Sequence, residues 1–319
     1  MALSKLSGDE QCIIFCQLCN TLDPGFAVAF SSTNSELWTL TQALRQQLKA
    51  DHEAAAALCL KLRMRYASSC GRLVRSCKEL REAKSIRWLR SCTTMREAKE
   101  ITAADLGLLG TLGSVLPALE FLALSEPAAG PDGVQQLAVG LGAGALPAVT
   151  FLGLDMHVGD AGASALAAAL GQGALPRLKS LELANPTAIG DAGLVALAPA
   201  LRRLPALEEL GLYDNPFGDE GLAALVAPPP PTGAPPPPTG GLKKLKTLDL
   251  SDTQVTDAGC ATLAAALKSG ALPALESLLL FYIPASDAAK AAVYEARANL
   301  KDGRGTHHFS EVEESEEED

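Results

Sequence analysis

Aromatic side chains are scarce in this 319-residue chain: Phe, Trp and Tyr make up 4% of it, although 48% of the residues are apolar. The apolar content is therefore mostly Ala and Leu, which favours many thin, regular layers over one core built on aromatic rings. The chain lacks any apolar run of the roughly 18 to 20 residues that a membrane span needs. Its start, MALSKLSGDEQ, also lacks the charged-then-apolar order of a secretory signal. We therefore expect a cytoplasmic or nuclear protein without a membrane partner.

The chain also has fewer basic than acidic residues and no recognisable set of catalytic residues. The net charge of −10 makes a general nucleic-acid binder unexpected. The four His residues form no recognisable set with Ser, Asp or Cys, and no G-x-x-x-x-G-K phosphate loop is present. The eight cysteines follow no disulfide framework, and Cys12, Cys16 and Cys19 lack a second ligand pair for zinc. We predict a chain that is not an enzyme, has no cofactor or metal, and has protein as its partner.

The chain does contain an internal repeat. Nine-residue segments of the pattern L-x-x-L-x-x-L-x-L start at intervals of 30, 29, 29, 38 and 30 residues, at Leu116, Leu146, Leu175, Leu204, Leu242 and Leu272. All but the fourth and the last are followed by G-x-x-x-L-x-x-x-L. The alternating L-x-L predicts a short strand buried on one face, and the four-residue spacing predicts a helix. One such unit cannot bury its own leucines, so the units must stack into a solenoid.

This repeat resembles the leucine-rich repeat family, in its ribonuclease-inhibitor-like subclass. The resemblance covers residues 101–300 and implies an α/β solenoid with a strand and a helix in each unit of about 29 residues, in about six units. The Asp two residues before each helical Gly, as at Asp160, is expected to cap the helix in which it lies. The turn Asn of the family matches only at Asn215. Ala289 and Arg297 replace the Gly and the final Leu of the last unit, which predicts a polar end cap.

The one long interval contains PPPPTGAPPPPTG, at residues 228–240. Because proline cannot continue the preceding helix, we expect a loop on the outside of the solenoid, before the next strand. A longer loop adds little closure entropy. Two interpretations stay open: a polyproline II docking segment, or a low-complexity insertion without a function.

The strands should line the concave side of the solenoid, with the residues between their leucines pointing into it. Aromatic side chains on a rigid face are typical anchors of an interface, and the charges predicted there are all acidic, which favours a basic or mixed partner surface. We predict a protein-binding surface made of Phe151, Asp155, Glu182, Glu209, Tyr213, Asp249 and Phe281. For Phe121 and Phe281, at the two ends, packing against capping segments is the alternative.

Residues 1–60 have a different, α-helical pattern, with three helices predicted before residue 50. This region resembles an F-box, the helical motif that attaches substrate receptors to a cullin-type ubiquitin ligase through an adaptor. Leu6, Asp9 or Glu10, Ile14-Phe15 and Leu18 fit its register, with Leu22-Asp23-Pro24, Phe26 and Trp38 matching its later part. Ser7 replaces the proline of the motif, and about four extra residues precede Leu22. The resemblance implies adaptor binding through residues 1–50, by Ile14, Phe15, Leu18, Leu22 and Pro24. A helical cap over the open end of the solenoid is the alternative.

Two charged segments complete the chain. Residues 61–100 hold twelve Lys or Arg and four Glu, and we expect a basic helical connector, either a nuclear-import or nucleic-acid patch or a solvated helix face. Residues 301–319 form an acidic tail expected to be disordered. The sequence thus predicts a protein-interaction module, with ligase substrate receptor as the specific hypothesis. A repeat scaffold or sensor without a ligase link is one alternative. Another is an activator of the GTPase Ran, a class similar to this chain only in combining this repeat subclass with an acidic tail.

Overall fold

The computed structural model describes residues 7–33, 35–59, 63–64, 72–73, 76–88, 101–125, 129–184, 187–226 and 242–302. The Pro-rich insertion at 228–240, much of the basic segment 61–100 and the acidic tail from residue 303 lie outside the described residues. The predictions of a docking loop, a nuclear-import patch and a disordered tail therefore stay predictions.

The N-terminal region is α-helical, as predicted, and consists of α1 (Gly8–Leu18), α2 (Gly25–Ser31), α3 (Ser35–Leu40) and α4 (Gln42–Cys59). Helix α1 begins with a capping box, in which the Glu10 carboxylate accepts the Ser7 N–H at 2.8 Å and Ser7 Oγ accepts the Glu10 N–H at 3.3 Å. These bonds favour the carboxylate and lower the pKa of Glu10. The predicted third helix is thus two helices, which meet at the buried Thr41.

Strands and helices then alternate along the chain. A short antiparallel pair, β1 (Arg63–Met64) and β2 (Arg72–Leu73), precedes α5 (Cys77–Glu82). The repeat elements follow in the order β3 (Ser85–Trp88), α6 (Ala103–Leu112), β4 (Phe121–Leu124), α7 (Gly130–Gly140), β5 (Phe151–Leu154), α8 (Gly159–Gly171), β6 (Ser180–Leu183), α9 (Asp191–Leu201), β7 (Glu209–Gly211), α10 (Asp219–Val226), β8 (Thr247–Asp249), α11 (Asp257–Lys268), β9 (Ser277–Leu279) and α12 (Asp287–Glu295).

Strands β3 to β9 form one parallel, seven-stranded sheet in chain order within the described residues. Each repeat places its first strand leucine directly beside that of the next, in a buried row made of Leu122, Leu152, Leu181, Leu210, Leu248 and Leu278. The helical leucines belong to the same core cluster, so the helices cover this side of the sheet. The predicted α/β leucine-rich repeat solenoid is confirmed.

The sheet contains one strand more than the six repeats predicted from sequence. Strand β3 pairs in parallel with β4, with Ser85 opposite Phe121. Its repeat pattern is L-x-x-A-x-x-I-x-W, and the first three of these side chains, Leu80, Ala83 and Ile86, are fully buried. The segment predicted as a basic helical connector therefore contributes a seventh, degenerate repeat, hidden because Ala and Trp stand at leucine positions.

The aspartates before the repeat helices cap the following helix and not their own. Asp160 Oδ1 accepts the N–H groups of Gly190 and Gly193, at the start of the next repeat's helix, at 2.7 and 3.0 Å. Equivalent bonds across the next three interfaces come from Asp191, Asp219 and Asp257. The prediction of capping within one unit was wrong in this respect, because stacking brings each carboxylate over the helix start of its neighbour. These hydrogen bonds connect successive repeats at an equivalent position, the start of each helix.

The C-terminal end of the sheet is covered, in line with the predicted end cap. Arg297 stands at the position of the final leucine of a repeat. Its guanidinium donates hydrogen bonds to the backbone carbonyls of Leu272 and Ala271. Beyond it, Lys301 continues the hydrogen bonding of β9, accepting the Leu278 N–H at 3.0 Å and donating to the Glu276 carbonyl at 2.8 Å. The backbone of the last strand is thereby partly satisfied.

Replacing residues 228–240 by four Gly or Ser residues, which restores the usual interval of 29 residues, is expected to change the thermal unfolding midpoint by only a few degrees. Strands β7 and β8, on either side of the insertion, keep the common register, with Leu210 beside Leu248. The longer loop raises the entropic cost of loop closure by about 1 kcal/mol or less. Differential scanning calorimetry of the shortened chain measures the change. A loss of 10 °C or more would contradict the prediction of an external loop.

Candidate functional site

The side of the sheet that faces away from the helices carries three rows of side chains, which we call the concave face. The first row consists of Phe121, Phe151, Ser180, Glu209, Thr247 and Ser277, and the second of Ala123, Gly153, Glu182, Gly211, Asp249 and Leu279. The third, just after the strands, consists of Ser125, Asp155, Ala184, Tyr213, Ser251 and Phe281. Each row runs across successive repeats because one strand residue in two points to the same side.

The structure places all seven predicted concave residues on this face. Glu209 is exposed and Asp249 is buried, whereas the other five are half-buried: Phe151, Asp155, Glu182, Tyr213 and Phe281. They span five consecutive strands, β5 to β9. A single partner lying across the sheet can therefore contact the six that are exposed or half-buried.

Glu182 lies at the centre of an acidic cluster on this face. Burial raises the pKa of its carboxyl from 4.5 to about 7, and the carboxylates of Asp155, Asp249 and Glu209 add to the rise. Burial, followed by the carboxylates of Glu182, Asp155, Asp249 and Asp214, raises the pKa of Tyr213 to about 12. The ionised form of the cluster is therefore energetically unfavourable in the folded chain. A cation bound among these groups would stabilise it.

Two of the carboxylates are held in fixed positions. Asp155 Oδ2 accepts the Ser125 hydroxyl at 2.9 Å, and Asp249 Oδ1 accepts the backbone N–H of Ser251, also at 2.9 Å. Both carboxylates are thereby held by groups of their own or a neighbouring repeat. The cluster is thus preorganised by its own repeats.

Two aromatic rings form a flat surface at the N-terminal end of the face. Phe121 and Phe151 stack with their ring centroids 4.1 Å apart and their planes 1° from parallel. Phe121 thus packs against its neighbour in the next repeat, and both rings stay half-exposed to the concave side. Rigid, stacked rings of this kind suit an apolar anchor from a partner.

The five residues predicted to bind an adaptor are not on one surface. Phe15 is fully buried against Ala27 and Leu48, and Leu22 is 4% exposed within the solenoid core. Neither side chain reaches a partner in this structure, which corrects the prediction for these two residues. Ile14 and Pro24 are half-buried, and Leu18 is exposed.

Other apolar side chains of the N-terminal helices are exposed instead. Phe26 is 72% exposed, and the remaining members of this set are Ile13, Leu18, Val28, Trp38 and Leu40. We call these six residues the helical apolar patch. The register of a motif does not show which face of such a short helix is buried. The sequence analysis therefore placed buried residues on the surface predicted to bind the adaptor.

A cavity of about 520 Å³ adjoins this patch. It is lined by Pro24, Val28, Trp38, Gln42, Arg45, Gln46, Leu48, Lys49 and His52. The Arg45 guanidinium lies 3.2 Å from the centroid of the Trp38 ring and donates to the Trp38 carbonyl at 2.5 Å. The cavity wall is therefore partly fixed by this pair, and its lining combines the cationic Arg45 and Lys49 with apolar groups.

Among the described residues, no three His, Cys, Asp or Glu side chains are grouped so that they could hold a metal ion. Six described cysteines are free thiols: Cys12, Cys16, Cys19, Cys59, Cys77 and Cys260. In the same part of the chain, no helix combines the length and apolar character that a membrane span requires.

Comparison with known proteins supports a leucine-rich repeat protein. The family model described as Leucine Rich repeat matches residues 204–226 and 241–264, the units on either side of the Pro-rich insertion. No curated protein sequence matches this chain significantly. The spacing of these two matches agrees with a repeat interrupted by an insertion.

Solved structures with detectable similarity include repeat proteins. A protein from Bacteroides fragilis is 13% identical, with 84% of each chain covered and a TM-score of 0.37. An internalin from Listeria monocytogenes is 16% identical over 61% of this chain and 56% of its own, with a TM-score of 0.30. The yeast Rad7 and Elc1 complex is 14% identical over 85% and 80%, with a TM-score of 0.26. Similarity at this level says nothing about the partners of this chain.

Proposed function

We propose that this chain is a substrate receptor of a cullin-type ubiquitin ligase, acting in the cytoplasm or nucleus. Its concave face would bind the substrate protein, and its N-terminal helices would dock the adaptor. The main observation that supports adaptor docking is the helical apolar patch. Large apolar side chains exposed to solvent in this number are typical of a surface that another protein covers, and these six lie in the segment that resembles an F-box.

The concave half of the proposal is supported by the rigidity and chemistry of the sheet. Its side chains are held by strand pairing and by the Asp bonds between repeats. It combines stacked rings at one end with fixed carboxylates at the centre. A rigid face of this kind binds a partner with little loss of its own conformational entropy.

The adaptor half is tested with the full chain and the purified adaptor, by size-exclusion chromatography and biolayer interferometry. Replacing Ile13 and Phe26 together by Asp should weaken binding at least tenfold, because both exposed side chains would be buried in the interface. Val139→Asp is the matched control, since Val139 is 79% exposed on α7, far along the chain. Circular dichroism checks that each variant is folded.

Failure to bind the adaptor by folded wild-type chain, or equal binding by the double variant, would refute the ligase role. The N-terminal helices would then be a cap, and the chain a repeat scaffold or sensor. The Ran-type alternative has less support, because Arg202 donates its guanidinium N–H to the Ala224 carbonyl of its own chain. That arginine is therefore engaged in joining two repeats.

A further inference from the structure

The basic residues of the N-terminal helices lie together. Residues 7–59 contain two Lys or Arg residues and one His, and all three line the cavity of about 520 Å³ beside the helical apolar patch: Arg45, Lys49 and His52. The same segment contains six acidic residues, and none of the acidic side chains that the structure describes there lines the cavity: Glu10, Asp23, Glu36, Asp51 and Glu53. The cavity is therefore a positively charged site in an otherwise acidic region.

Two of these basic side chains are held in place at the cavity wall. The Arg45 guanidinium, stacked over the Trp38 ring, donates to Thr41 Oγ1 at 3.3 Å and to the Trp38 carbonyl at 2.5 Å. These bonds use two of its five N–H donors, so others can donate to a bound carboxylate. His52 Nδ1 lies 2.7 Å from the Thr21 carbonyl and donates to it, because a carbonyl only accepts. The two groups are thus positioned before a ligand binds.

Apolar side chains supply much of the remaining lining: Pro24, Val28, Trp38 and Leu48. Val28 and Trp38 also belong to the helical apolar patch and are 41% and 44% exposed. The α4 part of the lining extends from Gln42 to His52, which is about 15 Å of helix, and several of its side chains are exposed. An open groove of this length, with apolar and basic groups together, suits a segment of polypeptide.

We infer that this cavity docks a segment of a partner protein in which an apolar side chain is flanked by Asp or Glu. The apolar side chain packs against Val28 and Trp38, and one carboxylate accepts from the Arg45 guanidinium. A second carboxylate pairs with Lys49, whose contact with Glu53 is long, at 3.9 Å. The inference rests on the proposed docking of a protein by the N-terminal helices, and that protein need not be a ligase adaptor.

The test is selection of random dodecapeptides, displayed on phage, on the immobilised full chain at about 0.15 M salt. Charges more than about 8 Å apart are largely screened under this condition, so the net negative charge of the chain has little influence. Sequencing should show enrichment of peptides with an apolar residue flanked by Asp or Glu. In an NMR titration, such a peptide should shift the signals of the Trp38 indole N–H and the Arg45 Nε–H. Lys49→Gln should weaken its binding at least fivefold.

Lys268→Gln is the matched control, because it makes the same change of charge at an exposed position on α11. No enrichment of acidic–apolar peptides, or acidic peptides whose affinity Lys49→Gln leaves unchanged, would overturn the inference. Adaptor binding could still be intact after such a result, since it is measured separately with Ile13 and Phe26 replaced. Acidic peptides that bind at this cavity of a chain that does not bind the adaptor would instead support the inference and remove only the ligase role.

Discussion

Replacing Gly193 by alanine is expected to lower the free energy of unfolding by about 2 to 3 kcal/mol, although alanine is the better helix former. Gly193 lies in the first turn of α9, under the carboxylate of Asp160 from the preceding repeat. An alanine Cβ there would lie 2.5 Å from Asp160 Oδ1 and 2.9 Å from Ile189 Cγ2. The carboxylate would have to leave the N–H groups that it accepts. Urea unfolding of the two proteins measures the difference.

The matched control is Gly171→Ala, since a Cβ at Gly171, in the last turn of α8, would meet no atom within 4 Å. That variant should be neutral or slightly more stable. A double-mutant cycle with Asp160→Ala identifies the cause, because removing the carboxylate relieves part of the clash. The double variant should be more stable than the sum of the single effects predicts, by about 0.5 to 1 kcal/mol. Additive effects would show that the carboxylate is not what requires glycine.

Glu182→Gln is expected to stabilise the chain at pH 8 by on the order of 2 kcal/mol and to have little effect near pH 4.5. The folded pKa of Glu182, about 7, lies above the value of 4.5 that it has without its surroundings. A raised folded pKa means that the contribution to stability is fully present below pH 4.5 and is lost as the pH rises through 7. Glutamine removes this loss because it stays neutral. Because Glu182 is only half-buried, solvent screening keeps the figure below the full shift.

Chemical unfolding of both proteins at several values between pH 4.5 and 8.5 measures this difference. The groups that face Glu182 are Asp155, Glu209, Asp249 and Tyr213, and they are present in both proteins, so the two proteins differ only at Glu182. Glu209→Gln is the control, since that side chain is exposed on the same face. A stability gain that does not change with pH would show that packing and not charge is responsible.

The repeat architecture could be predicted from the sequence because one physical requirement recurs in every unit. Each L-x-L pair must bury both leucines against the helices, so the strands β4 to β9 lie where that pattern predicts them. Strand β3 escaped prediction because its pattern is carried by Ala83, Ile86 and Trp88 within a basic segment. The alternation of Ile86 and Trp88 with polar residues is the signal that would have found it.

Contacts between units were harder to predict than the units themselves. That Asp160 caps the next helix depends on how far one repeat is displaced from the next, which no single unit specifies. The concave face was predictable for the same reason as the strands, since alternation decides which side a residue faces. That glycines of both neighbouring strands flank Glu182 was not predictable, because it depends on the register between the strands.

In the N-terminal helices, side-chain orientation was the missing information. The F-box register placed Ile14 and Phe15 together on the partner side, whereas packing of α1 against α2 and α4 buries Phe15 and leaves Ile13 exposed. Adjacent helical residues point about 100° apart, so a shift of the motif by one residue changes which side chain is buried and which is exposed. Motif matching alone does not fix that position.

The most direct test of the central claim, that the concave face recognises a protein, is quantitative affinity capture from cell extract with the full chain as bait. The variant combines Tyr213→Ala with Glu209→Lys on the concave face. Its matched control combines Val139→Ala with Glu220→Lys on the helical side, with the same change of charge and both side chains exposed. We expect a defined set of proteins that wild type and control retain and that the concave variant, folded by circular dichroism, loses at least tenfold. Retention of the same proteins by all three baits would contradict the claim and move the binding surface off the concave face.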